Sequence, residues 1–132
     1  MVNFSSLDSH QQAITFVRKW VKLLSDKNTI EAFSLLDKND EFPNKFISNF
    51  EALKNVFSNY FENNNLPQFT NPYSLNLGQE KVDIYDYVDG SGFAIDYDLP
   101  LNGEWSDFTA QFSFKKKSNF EFYAYLEDIH IL

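Results

Sequence analysis

The sequence predicts an α+β domain, with helices at the front packed on one face of an antiparallel sheet of four to five strands. Three observations predict it. Through the first 62 residues the apolar positions recur at helical spacing. From Glu80 onward they alternate at period two. The breaks between runs carry turn chemistry, as at Asn63-Asn64-Asn65, Asp89-Gly90-Ser91-Gly92 and Lys115-Lys116-Lys117-Ser118-Asn119. Helices followed by strands segregate into two layers around one core. At 132 residues the chain is read as a single domain over 1–132, long enough to bury a core without staples.

The first helix is expected over residues 8–25. Ala13, Phe16, Val17, Trp20, Val21 and Leu24 make one apolar stripe, and Asp8 with Gln11 forms a capping pair. Arg18, Lys19 and Lys22 lie off that stripe and are read as solvated. A short second helix follows Asn28 as cap with Glu31 at its third position, burying Ala32, Phe33, Leu35 and Leu36. Asp37 to Glu41 is read as a loop. A third helix is expected from Pro43 to Glu62, with Phe46, Phe50, Leu53, Phe57, Tyr60 and Phe61 on one face. Pro67 and Pro72 limit the next segment to an edge strand near Phe69 or over Tyr73 to Leu77.

The sheet begins with a hairpin. Val82, Ile84 and Val88 share a face, and Phe93, Ile95, Tyr97 and Leu99 share a face of the next strand. Pro100 to Glu104 is read as a loop. Phe108, Ala110, Phe112 and Phe114 pattern a third strand, and Phe120, Phe122, Ala124 and Leu126 the last. The apolar phase then slips to Ile129 and Ile131, which a β-bulge at Glu127-Asp128 would produce.

Composition narrows the function classes. The net charge of −8 opposes binding to nucleic acid and to an anionic membrane surface, both of which need a basic footprint. It favours a basic protein partner. No cysteine is present, so disulfides and thiolate metal sites are excluded. No signal peptide or membrane span is read, and the expected location is the cytoplasm. His10 and His130 stand without a third histidine, so no zinc site is expected, and no metal or cofactor is assigned.

Almost all of the charge imbalance lies between Glu80 and Asp107, a stretch with eight carboxylates and one lysine. Alternation places Asp83, Tyr85 and Tyr87 on one face of the hairpin, with Asp96 and Asp98 joining them. Opposed carboxylates in a sheet cost about 0.2–1 kcal/mol per pair, so the pattern suggests a docking face for a basic partner. The competing explanation is a solvated face that discourages edge aggregation. A calcium loop at Asp86 and Asp89 fails the ligand spacing, because Tyr85 and Tyr87 hold the alternate positions. Asp86 is the one carboxylate in an apolar phase. It either points inward or is turned outward by a register shift.

The helix order, the hairpins and the ending Glu127-Asp128-Ile129-His130-Ile131-Leu132 after Trp105-Ser106-Asp107-Phe108-Thr109 resemble the NTF2-like (cystatin-like) superfamily, in a small bacterial branch. The resemblance implies a bent sheet wrapped as a cone around the first helix. One departure is that no strand is read between the second and third helices, where that family usually has one. The superfamily includes isomerases, dehydratases, cyclases, transport factors and immunity proteins, so fold does not decide activity. The resemblance makes Asp86 and Tyr97 the catalytic candidates of an enzyme, with Trp20 and Trp105 as pocket candidates. The favoured function is non-catalytic protein binding, an immunity-type role among those implied. A small-molecule pocket, enzymatic or carrier-like, is the alternative. Acidic outer faces would repel one another, so a monomer or weak dimer is expected.

Overall fold

The computed structural model describes residues 1–4, 8–61 and 66–131. The break expected at Asn63-Asn64-Asn65, the expected end of the third helix at Glu62, and Leu132 lie outside the described residues. The chain is α+β. The described residues form helices α1 (Ser9–Ser25), α2 (Thr29–Ser34) and α3 (Phe50–Ser58) and an open antiparallel sheet, one short strand of which precedes α1. Its strands are β1 (Val2–Asn3), β2 (Val82–Asp86), β3 (Gly92–Leu101), β4 (Glu104–Lys116) and β5 (Glu121–Ile131). They lie in the order β1-β5-β4-β3-β2. Among the described residues no helix is long and apolar enough to cross a membrane.

α1 forms where its stripe requires it. Asp8 accepts the Gln11 N–H at 3.1 Å, and the six predicted apolar positions are buried, with Leu23 beside them. The helix ends in a Schellman motif: Asn28 N–H donates to the Leu23 carbonyl and Lys27 N–H to that of Leu24. Lys27 occupies the left-handed position at φ 63°, where glycine is the usual residue. Lys27→Gly is therefore expected to stabilise the protein by about 1 kcal/mol, seen as a raised melting temperature.

α1 packs on the inner sheet face, built from Phe93, Ile95, Tyr97 and Leu99 of β3, Ala110, Phe112 and Phe114 of β4, and Phe122, Ala124, Leu126 and Ile129 of β5. Trp20 lies at the centre with no exposed surface, edge-on to Phe33, Phe69 and Phe112. Such ring contacts add about 0.5–1.5 kcal/mol each beyond buried area. The phase slip near the end of the chain is a bulge. Gln111 pairs with Asp128 and Phe112 with Leu126, so Glu127 is the extra residue.

Several boundaries differ from expectation. α3 starts at Phe50 rather than Pro43, because the Asn49 side chain caps it by accepting the Ala52 N–H at 2.8 Å. The preceding segment instead runs along β5: Ile47 N–H donates to the Leu126 carbonyl at 2.9 Å. Ile47 thus enters the core, while Phe46 stacks on Tyr125 at 4.4 Å on the other sheet face. The Asn28 side chain makes no capping bond to α2. Asp37 is not a free loop charge, since it accepts the Ala124 N–H at 2.8 Å. Residues 66–79 hold a single bridge, Phe69 to Leu101, and one-turn 3₁₀ helices at Pro72–Ser74 and Leu77–Gln79 in place of an edge strand. Pro100 to Glu104 is not a loop: β3 and β4 meet through Asn102-Gly103, at φ 52° and 87°, a two-residue hairpin turn. Pro100 is tolerated because the register shifts between Asp98 and Pro100.

Candidate functional site

Two groups of ionisable residues stand out, one on each face of the sheet. The inner group is held by α1. Arg18 is half-buried rather than solvated, and its guanidinium grips Glu80 through Nε to Oε2 at 3.0 Å and Nη2 to Oε1 at 2.6 Å. The Tyr97 hydroxyl donates to the same Oε2 at 2.7 Å. Burial, then the bond to Glu80, pushes the Tyr97 phenol well above the usual tyrosine range. Its bond to Glu80 pushes Arg18 up, against the effect of burial. This cluster ties the first helix to the start of β2 and to β3.

The four residues proposed for a catalytic pocket do not surround one cavity. Asp86 keeps its inward phase, opposite Phe93 across the hairpin, but stands at the sheet's rim with its side chain 71% exposed. There it pairs with His10 Nε2 at 2.8 Å, and the His10 ring meets Phe93 edge-on. Tyr97 is fully buried with its hydroxyl bound to Glu80. Trp20 is a core ring. Trp105 is half-exposed, donates Nε1 to the Asn76 carbonyl at 3.2 Å and meets Tyr97 edge-on.

The outer group gathers the residues read as a binding face. Asp83 of β2 pairs directly with Asp96 of β3, and Tyr85 with Ala94. Asp98 pairs with Thr109 and accepts its hydroxyl at 2.8 Å. The bulge brings two residues to this face that the sequence did not assign: Glu127, which acts on Tyr87 and Asp96, and Asp128, opposite Gln111. The phase slip at these residues was the signal available in the sequence. His130 pairs with Asp128 at 3.2 Å, and Lys115 lies at the far end. Tyr85 is 52% exposed, while Tyr87 is half-buried. Tyr123 and Tyr125, 6.4 Å apart, frame the opposite side of the small residues Ala94 and Ser113.

Burial and neighbouring charge both act on this face. Burial, and then Asp83, Asp98 and Glu127, push the Asp96 carboxyl above its ordinary range, with His130 opposing. Among the described residues the buried Oδ1 of Asp96 has no donor. Asp83 pushes the Tyr85 phenol up, with smaller effects of burial and Asp96. Asp89 is turn chemistry, accepting the Ser91 N–H at 2.9 Å; its bonds to Ser91 hold its carboxyl below the usual range. No group of three or more metal-ligating side chains forms among the described residues.

A family model described as a domain of unknown function, DUF7668, matches residues 31–132, from α2 through the whole hairpin series. No curated protein and no solved structure matches the chain.

Proposed function

The chain belongs to the DUF7668 family, and we propose that it is a non-catalytic binding module whose outer sheet face docks a lysine- and arginine-rich protein surface. The observation that carries this is the direct pairing of Asp83 with Asp96, on a face that also holds Asp98, Glu127 and Asp128. Like charges directly opposed cost about 0.2–1 kcal/mol, and a stranded Asp96 oxygen adds to it. A purely structural face would be more stable with asparagine there. The exposed tyrosine Tyr85 and half-buried Tyr87 supply the aromatic contacts that carry binding energy at protein interfaces. The proposal extends to an NTF2-like relationship, supported by three helices that precede the four long strands β2–β5 and by the packing of that sheet on the first helix. It extends also to an immunity-type role in a bacterial cytoplasm, in keeping with a cysteine-free chain. Self-association would bring two acidic faces together, which favours a monomer or weak dimer.

Asp96→Asn tests the proposal on two axes. A carboxyl raised in the fold above its ordinary 3.8 contributes stability below that value, and the contribution is lost as pH rises through the folded value. Asparagine removes the charge, so the variant should be about 0.5–1 kcal/mol more stable at pH 7, with the gain vanishing near pH 3. Binding of a lysine-rich peptide should move the other way, by about 1 kcal/mol or roughly fivefold at low salt. A variant that gains stability and keeps full affinity would mark the face as solvated surface only.

A further inference from the structure

A cavity of about 420 Å³ opens in the helical layer, away from the acidic face. Leu24, Phe50, Leu53, Phe57, Leu66 and Phe69 form its apolar wall, with Ser25, Thr29 and Gln68 as uncharged polar groups. Its size falls in the range of small-molecule sites. Among the described residues, the charged side chains lining it are Lys27 and Lys54, and no carboxylate lines it. In a chain with 19 acidic and 11 basic residues, that is the reverse of the general surface.

Lys27 is kept at a left-handed backbone position that glycine would fill at lower cost. Its side chain is not needed to cap α1, because the Leu23 and Leu24 carbonyls already accept the Asn28 and Lys27 N–H groups. Lys54 Nζ lies 5.5 Å from the centre of the Phe50 ring, itself part of the wall. Its 2.7 Å partner Glu51 is 77% exposed, so that pair is readily exchanged for another carboxylate. We infer that this cavity binds an amphipathic carboxylate, with an aliphatic tail against Leu53, Phe57 and Phe69 and its carboxylate at the mouth between Lys27 and Lys54.

Titration with monomeric dodecanoate, followed by calorimetry and by the methyl resonances of Leu24 and Leu53, tests this. Dodecanoate should bind at least tenfold more tightly than dodecyltrimethylammonium and shift both methyl signals. Lys54→Gln and Lys27→Gly should each weaken dodecanoate three- to tenfold and leave dodecanol binding unchanged. Lys27→Gly should do so while melting at a higher temperature, which separates lost binding from damaged folding. Equal affinity for the anionic and cationic amphiphiles, lysine variants without effect, or binding that leaves the Leu24 and Leu53 methyls unmoved would each overturn the assignment.

Discussion

Glu80→Ala is expected to destabilise the protein by about 3–5 kcal/mol, the cost of stranding a partner in a buried ion pair. The Glu80 side chain is 5% exposed and that of Arg18 18%. One carboxylate takes two guanidinium bonds and the Tyr97 hydroxyl, so alanine leaves a charge and a phenol without their acceptor in a low-dielectric layer. Tyr97→Phe removes a single bond to that carboxylate and should cost less, about 1.5–3 kcal/mol. The cluster also joins α1 to the foot of β2, an edge strand paired in the sheet with β3 alone among the described residues and tied to α1 at its other end by the exposed His10–Asp86 pair. Urea unfolding of the two variants checks the ranking. A loss from Glu80→Ala smaller than that from Tyr97→Phe would mean that the cluster does not hold the edge. Against a total stability of about 5–15 kcal/mol, the expected loss would leave a marginal fold.

Gly92→Ala should cost about 3 kcal/mol or more, while Gly90→Ala in the same turn should cost only about 1 kcal/mol. Both glycines have positive φ, 142° and 75°. They differ in what a methyl group would meet. At Gly92 a Cβ would lie 2.0 Å from the Phe114 carbonyl oxygen of β4, which is backbone and cannot rotate away. At Gly90 nothing lies within 4 Å. Gly92 also accepts the Tyr87 N–H that closes the turn, so relieving the clash shifts the hairpin carrying Asp83 and Tyr85. Chemical denaturation of the pair separates close approach from backbone conformation. Equal losses in the two variants would contradict the geometry.

The sheet was legible because its signals are local. Period-two alternation placed the inner residues of β3 and β4 correctly, and the phase slip located the bulge at Glu127-Asp128. The Asn102-Gly103 dipeptide is a strong hairpin signal, but Pro100 just before it is equally compatible with a loop. Phe46 and Phe50 fit one helical stripe, so the period predicts too early a start for the third helix; the Asn49 cap and the hydrogen bond from Ile47 to Leu126 set it at Phe50. A cap competes locally with a period, and the sequence does not say which prevails. The burial of Arg18 is hidden from the sequence for a different reason. Arg18 lies off the apolar stripe of α1, and its partner is 62 residues away, at the foot of β2. Contacts of that range leave no trace in spacing. The acidic face was visible in Asp83, Asp96 and Asp98, but the direct opposition of Asp83 and Asp96 needed the register, and the contribution of Glu127 and Asp128 needed the geometry of the bulge.

The most direct test of the docking face is amide chemical-shift mapping during titration with a lysine-rich peptide at low and high salt. The account predicts shifts concentrated at Asp83, Tyr85, Asp96, Glu127 and Asp128, fading as ionic strength screens the charges. Shifts centred on α1 or α3, or binding that high salt leaves intact, would contradict it.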